Sequence, residues 1–241
     1  MKEEIYVHSG RGILNIKGSP TESILYVRSK PRIMSFFAEV NTTLRYQIGK
    51  EVTEELIRVN HKYENIVNEG NIDLNKSLEE QFQYITELLT NGKYTLSYYM
   101  ERHETHVQPA ISKDSNYISY DTYGGLYDIV ATQFHLNQKK VKQYKSIISK
   151  GKKPIVLLLM LENSANKYII DGHHKLKAYK DLKINPKVLV ISKLDAKNIK
   201  YEEGMKIITS LGVSDKNIIE RYKDEKESRF YENNFYNLYS K

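Results

Sequence analysis

Apolar and polar positions fall into their clearest order from residue 129 onward. Residues 137–150 repeat apolar side chains at helical spacing, with Val141, Tyr144, Ile147 and Ile148 on one face and lysines on the other. Asn137 opens this helix and Gly151 closes it. Pro154 leads into Ile155–Met160, an apolar run of strand length that reads as a buried strand. The polar turn Glu162–Asn166 is short, so the next strand, Tyr168–Asp171, is expected antiparallel to it. A helix follows over His173–Leu182, stopped by Asn185-Pro186, and then a strand over Lys187–Ser192.

The flanks are less regular. Ile5–Val7, Ile13–Ile16 and Ser23–Val27 are β-type runs separated by Gly, Ser and Pro, which makes residues 1–50 strand-rich. Thr53–Val67 has a partial apolar face and a capping threonine. Leu78, Phe82, Ile85 and Leu89 share one face of a helix expected over Leu74–Thr90 and ended by Asn91-Gly92, and Lys93–Met100 alternates as a strand. Residues 101–128 are irregular and contain Tyr117, Tyr120, Tyr123 and Tyr127, which can line a pocket, stack bases or serve as half-buried packing. After residue 195 the pattern predicts helices over Tyr201–Leu211 and Ser214–Tyr222. The charged, aromatic tail from Lys223 is expected to fray or dock. The expectation is an α+β protein in three parts: an α+β region over 1–128, a compact unit over 129–195 and a helical extension over 196–241.

Composition narrows the function classes. No apolar run reaches the roughly 18 residues of a membrane span, and Met1–Ile5 lacks the apolar core of a signal peptide. A cytoplasmic protein is expected. The chain has no cysteine, which removes disulfides, thiolate metal sites and a cysteine nucleophile. Its charge of +7 is unevenly placed: residues 137–200 hold 16 Lys against Glu162, Asp171, Asp181 and Asp195, a net of +12, and the remainder carries −5. This patch favours phosphorylated or polyanionic partners, nucleic acid among them, although solvated lysines on helix faces are an equally ordinary outcome.

The patch surrounds Asp171-Gly172-His173-His174-Lys175, where a strand turns into a helix. The first N–H groups of a helix lack internal partners and carry partial positive charge. Gly172 permits a tight turn and close approach. His173, His174 and Lys175 are then candidates to grip phosphate oxygens, with Lys153 reaching the same place from the start of the buried strand. Asp171 is a candidate Mg²⁺ ligand, or simply the cap of the helix. His103 and His106 stand three apart, which is not the spacing of the His-Glu-x-x-His zinc helix.

Residues 129–195, with Ile169–Lys175 followed by Ala178 and Tyr179 as the specific part, resemble the ParB/sulfiredoxin-like superfamily. Its members place a nucleotide's phosphates at such a junction, several with Mg²⁺. The resemblance implies ATP or another NTP as ligand and Asp171, His173 and His174 as catalytic residues. Gly172, His173, His174, Lys175 and Lys153 would bind the nucleotide, and Asp171 would hold the metal. Lys175 stands where the family usually carries Arg, which keeps the charge and loses the bidentate fork. Sulfinic-acid reduction needs a cysteine at the junction and is excluded. A partition clamp needs a helix-turn-helix that the remaining 45 residues do not supply. What the resemblance leaves is phosphotransfer to an unknown small-molecule acceptor or NTP hydrolysis, with Asp121, Asp128 and Glu162 as candidate bases. The alternatives are a nucleic-acid-binding or nuclease-like protein and a non-catalytic nucleotide-sensing module.

Overall fold

The computed structural model describes residues 1–40, 42–50, 52, 66–109, 117–121, 128–133 and 135–239. Twelve strands among them form two sheets. The larger is mixed and seven-stranded, in the order β1 (Lys2–Val7), β6 (Gly92–Met100), β12 (Lys187–Lys193), β10 (Ile155–Leu161), β11 (Asn166–Asp171), β9 (Asp128–Ala131), β7 (Val107–Pro109). The smaller is antiparallel: β2 (Leu14–Ser19), β3 (Glu22–Val27), β4 (Lys30–Val40), β5 (Thr42–Gly49), β8 (Tyr117–Asp121).

Layering follows from which faces are apolar. β10 is buried on both sides, as its unbroken apolar run requires. Ile155, Leu157, Leu159 and Leu161 face the small sheet, where they meet Leu14, Ile16, Leu25, Val27 and Ile33 in the main core. Val156, Leu158 and Met160 face the other way, with Ile129, Ile169, Val188 and Val190, toward the helices. β3 is buried on both sides too: Leu25 and Val27 join the main core, and Ile24 and Tyr26 face the C-terminal helices. The result is four layers, helices–sheet–sheet–helices.

Two short helices, α1 (Leu78–Gln81) and α2 (Gln83–Thr86), lie where one helix is expected. Phe82 separates them at φ −110°, yet Leu78, Phe82, Ile85 and Leu89 are all fully buried, so the periodicity places the face correctly and misses the break. Residues 66–69 are helical, and the rest of the helix expected over Thr53–Val67 lies outside the described residues. α3 (Gln138–Ser149) and α4 (His173–Leu182) pack together through Val141, Ile148, Ala178 and Tyr179. As the short turn implies, β10 and β11 are antiparallel, and β12 then pairs with β10 in parallel.

The seven-stranded sheet takes β1, β6 and β7 from residues 1–128 and β9 to β12 from 128–195. After α5 (Tyr201–Ser210), α6 runs from Lys216 to Tyr239, well past the Tyr222 end that the sequence suggests. The tail docks: Tyr222 and Lys226 both donate to the buried Glu22 carboxylate, Tyr222 at 2.6 Å, and Lys226 also caps the Ile199 carbonyl at 2.8 Å. No helix among the described residues is long and apolar enough to cross a membrane.

Candidate functional site

β11 ends at Asp171, and Gly172 turns the chain with φ 105°, in the left-handed region where a side chain is strained. A Cβ there would also stand 3.1 Å from the Val156 backbone. Gly172, not Asp171, occupies the N-cap position of α4, and no side chain caps the first turn. Asp171 instead accepts from Lys175, four residues on, at 2.8 Å.

The remaining side chains of the junction turn inward. His173, His174 and Lys175 are all more than nine-tenths buried. His173 Nε2 accepts the Thr132 backbone N–H at 2.9 Å, and His174 Nε2 accepts that of Asn137 at 3.0 Å. The two rings therefore pin both ends of the 132–137 segment across the start of α4. Thr132 tightens the clamp by donating its hydroxyl to the Ile169 carbonyl at 2.7 Å. A nitrogen that accepts a backbone N–H must be unprotonated, so each clamp holds its ring with Nε2 as the bare nitrogen. Lys175 lies beneath, its ammonium shared between Asp171 and the Ile155 carbonyl at 3.2 Å and 5.8 Å from the centre of the Tyr144 ring.

Asp171, Gly172, His173, His174 and Lys175, expected to act together, are thus adjacent and mutually organised. Lys153 stands exposed at the same end of the sheet, where its backbone packs against Gly70. Glu162 lies at the opposite end of β10, and the side chains of Asp121 and Asp128 are outside the described residues. So are the side chains of Tyr117 and Tyr120, and Tyr123 and Tyr127 altogether. His103 bonds Asn185 at 2.9 Å. Among the described residues no three His, Asp or Glu side chains converge as a metal cluster. Mg²⁺ on Asp171 fits poorly, because the carboxylate already holds a buried ammonium and a second cation beside it would be repelled.

Beside the junction is an open cleft of about 350 Å³. One wall is α4, which presents His173, Leu176, Lys177 and Lys180 at the i, i+3, i+4, i+7 spacing of a single helix face. The other is built from Val107, Ala131 and Ile169, with Gln133 and Leu136 closing the top. β7, β9 and β11 run parallel, and the cleft lies over their face, from Val107 at the start of β7 to Gln133 beyond the end of β9. Its interior is apolar and its rim cationic. Lys177 pairs with Asp181, which Lys145 also reaches at 2.6 Å; hydrogen bonds from Lys145 and then Lys177 hold that carboxyl below its ordinary value. Lys180 donates to the Thr105 carbonyl at 2.8 Å. Burial first, and then the charge of Lys177, pushes its ammonium below the usual lysine value.

The resemblance directs attention to Asp171–Lys175 and passes over Lys177, Lys180, Gln133, Leu136 and Val107. The helix-face spacing of His173, Leu176, Lys177 and Lys180 is present in the sequence. The opposing wall is not, since it assembles from three distant segments. No family model matches the chain, and neither does any curated protein or solved structure.

Proposed function

We propose that this protein binds a nucleotide, ATP or another NTP, in the cleft beside α4, with the Asp171–Lys175 junction as its scaffold. The observation that carries this reading is the cleft's chemistry. An apolar interior suits a base and sugar, and the ammonium groups of Lys177 and Lys180 along its rim suit phosphates. The ParB/sulfiredoxin-like resemblance of residues 129–195 supports it from the sequence side. The engagement of both His Nε2 atoms favours binding over phosphotransfer by those histidines.

The test is a melting series with ATP, CTP and GTP, each with and without Mg²⁺. A ligand at 100 times its Kd stabilises by about 2.7 kcal/mol, which for a chain of this size raises Tm by roughly 5–10 °C. The shift should vanish in Lys180→Ala. Failure of all three nucleotides ends the reading. His174→Ala separates scaffold from catalyst: a scaffold residue lowers Tm in the absence of ligand, and a catalytic one leaves Tm unchanged and removes turnover.

A second reading rests on the outer face of α3, where Lys139, Lys140 and Lys142 are exposed, with Lys150, Lys152 and Lys153 beyond its end. Such a face suits the phosphate backbone of nucleic acid. Binding there would weaken with salt at a slope of about −0.9 per phosphate neutralised, and salt-independent binding removes this reading.

A further inference from the structure

β1 (Lys2–Val7) is the outermost strand of the seven-stranded sheet, and among the described residues it pairs only with β6. Two other sheet edges are closed. β2 is met on its outer side by residues 88–89 and by Lys197: the Leu14 N–H donates to the Leu88 carbonyl at 2.8 Å, and the Lys197 N–H to the Gly18 carbonyl at 2.7 Å. β7 is three residues long and ends in Pro109, which has no N–H. β1 has six residues, an unbroken register and no proline. A strand edge of that kind is a template for another strand.

The Tyr98 N–H donates to the Met1 carbonyl at 2.9 Å, which sets the phase of the β1–β6 ladder. Glu3, Ile5 and Val7 therefore turn their backbone groups toward β6, and Lys2, Glu4 and Tyr6 turn theirs outward. The opposite strand agrees: Lys93, paired with Tyr6, gives its carbonyl to the Leu194 N–H on its far side. Lys2, Glu4 and Tyr6 are exposed, and no backbone bond joins them to any described residue across the open edge. Tyr6 is 47% exposed, and Leu74, at 73%, leads into α1, whose Leu78 N–H is held by Glu3 at 2.6 Å. The edge thus carries outward donors and acceptors beside exposed apolar surface.

We infer that β1 pairs antiparallel with β1 of a second copy of this chain, about a two-fold axis at Glu3. Outward groups must meet outward groups, which leaves three registers. An axis at Glu4 sets two carboxylates opposite each other. An axis at Ile5 sets Lys2 against His8 and Glu4 against Tyr6, with no opposite charges paired. An axis at Glu3 sets Lys2 against Glu4 of the second copy and Glu4 against its Lys2, two opposite-charge pairs on one face of the joined sheet. Each such pair exchanges both of its outward backbone hydrogen bonds. Glu3 meets its own counterpart on the other face, a like-charge contact that limits the affinity. One sheet then runs through both copies. The α4 cleft lies over β7, β9 and β11 toward the opposite edge, so the nucleotide reading and this one stand or fall separately.

Sedimentation equilibrium of the full chain from micromolar to submillimolar concentration tests the inference. Expected is a reversible monomer–dimer equilibrium with no larger species, because the two-fold axis closes the contact. Lys2→Glu and Glu4→Lys each set like charges opposite one another twice and should weaken the dimer about tenfold, and the double exchange Lys2→Glu with Glu4→Lys should recover it. Glu3→Gln, which removes the like-charge contact, should tighten it. Glu4→Pro deletes an outward N–H that β6 does not use, so it should be monomeric with a Tm close to that of the parent. A protein that stays monomeric throughout, a dimer indifferent to both single charge reversals, or a double exchange that fails to restore it overturns the inference.

Discussion

Lys175 shows how a residue's chemistry depends on where its neighbours lie. An ammonium that is 2% exposed is tolerable only because Asp171 and the Ile155 carbonyl replace its water. Removing Asp171 leaves a buried charge unpaired, whereas replacing Lys175 with Met exchanges the charge for a chain of similar volume. Asp171→Ala should therefore cost about 3 kcal/mol and Lys175→Met clearly less, measured by urea unfolding. The order would reverse if Lys175 were held for a ligand and Asp171 were an exposed, uninvolved carboxylate. Gly204 is a sharper case. A Cβ at this position of α5 would stand 1.8 Å from the Tyr222 hydroxyl, itself bonded to Glu22. Gly204→Ala should lose about 1–3 kcal/mol despite its better helix propensity; a gain in Tm would show that α5 and α6 are not packed as described.

At the scale of elements, the crossing from β6 to β7 is fastened to the large sheet by one ion pair. Lys167 on β11 reaches Glu101 at 2.6 Å and the Tyr99 hydroxyl at 3.2 Å, and Thr105 adds a further donor to the same carboxylate at 3.1 Å. Burial pushes the Glu101 carboxyl up, but the hydrogen bond and charge of Lys167, with Arg102 and Thr105, outweigh it and hold the group below its ordinary 4.5. The sign follows directly. A depressed carboxyl stabilises the fold above its unfolded value, and that stability is lost as pH falls through the folded one. Tm should be level at neutral pH and fall in acid, and Glu101→Gln should flatten part of that fall while lowering the neutral plateau. An acid limb unchanged in Glu101→Gln would assign it to other carboxylates. The same crossing holds Lys180 through the Thr105 carbonyl, so the fastening also sets one wall of the α4 cleft.

For the whole molecule the decisive fact is that one core, from Leu14 and Ile16 through Leu157 and Leu159 to Leu189 and Ile191, belongs to both sheets. Neither sheet can open without exposing the other. A single unfolding transition follows, with far-UV circular dichroism and the near-UV signal of the 20 tyrosines superimposing through the melt; two separated transitions would mean that the sheets are independent. The local pieces are written in the order of residues along the chain. β10 is legible as an unbroken apolar run, α4 from its spacing between Gly172 and Asn185-Pro186, and the antiparallel β10–β11 pair from its short turn, because each is dictated by neighbours within a few residues. The breaks were less legible. Phe82 interrupts a correct helical face, and α6 continues past Tyr222 because Tyr222 and Lys226 find Glu22, some 200 residues away, a contact that no local pattern encodes. Long-range packing, by contrast, sets which way the side chains of Asp171–Lys175 turn. Whether two histidines and a lysine at a helix start face a ligand or the interior depends on what closes over them. Here Thr132 and Asn137 do so, delivered by strand pairing at long range, and the lysines that line the neighbouring cleft, Lys177 and Lys180, stand about one and two turns further along the helix.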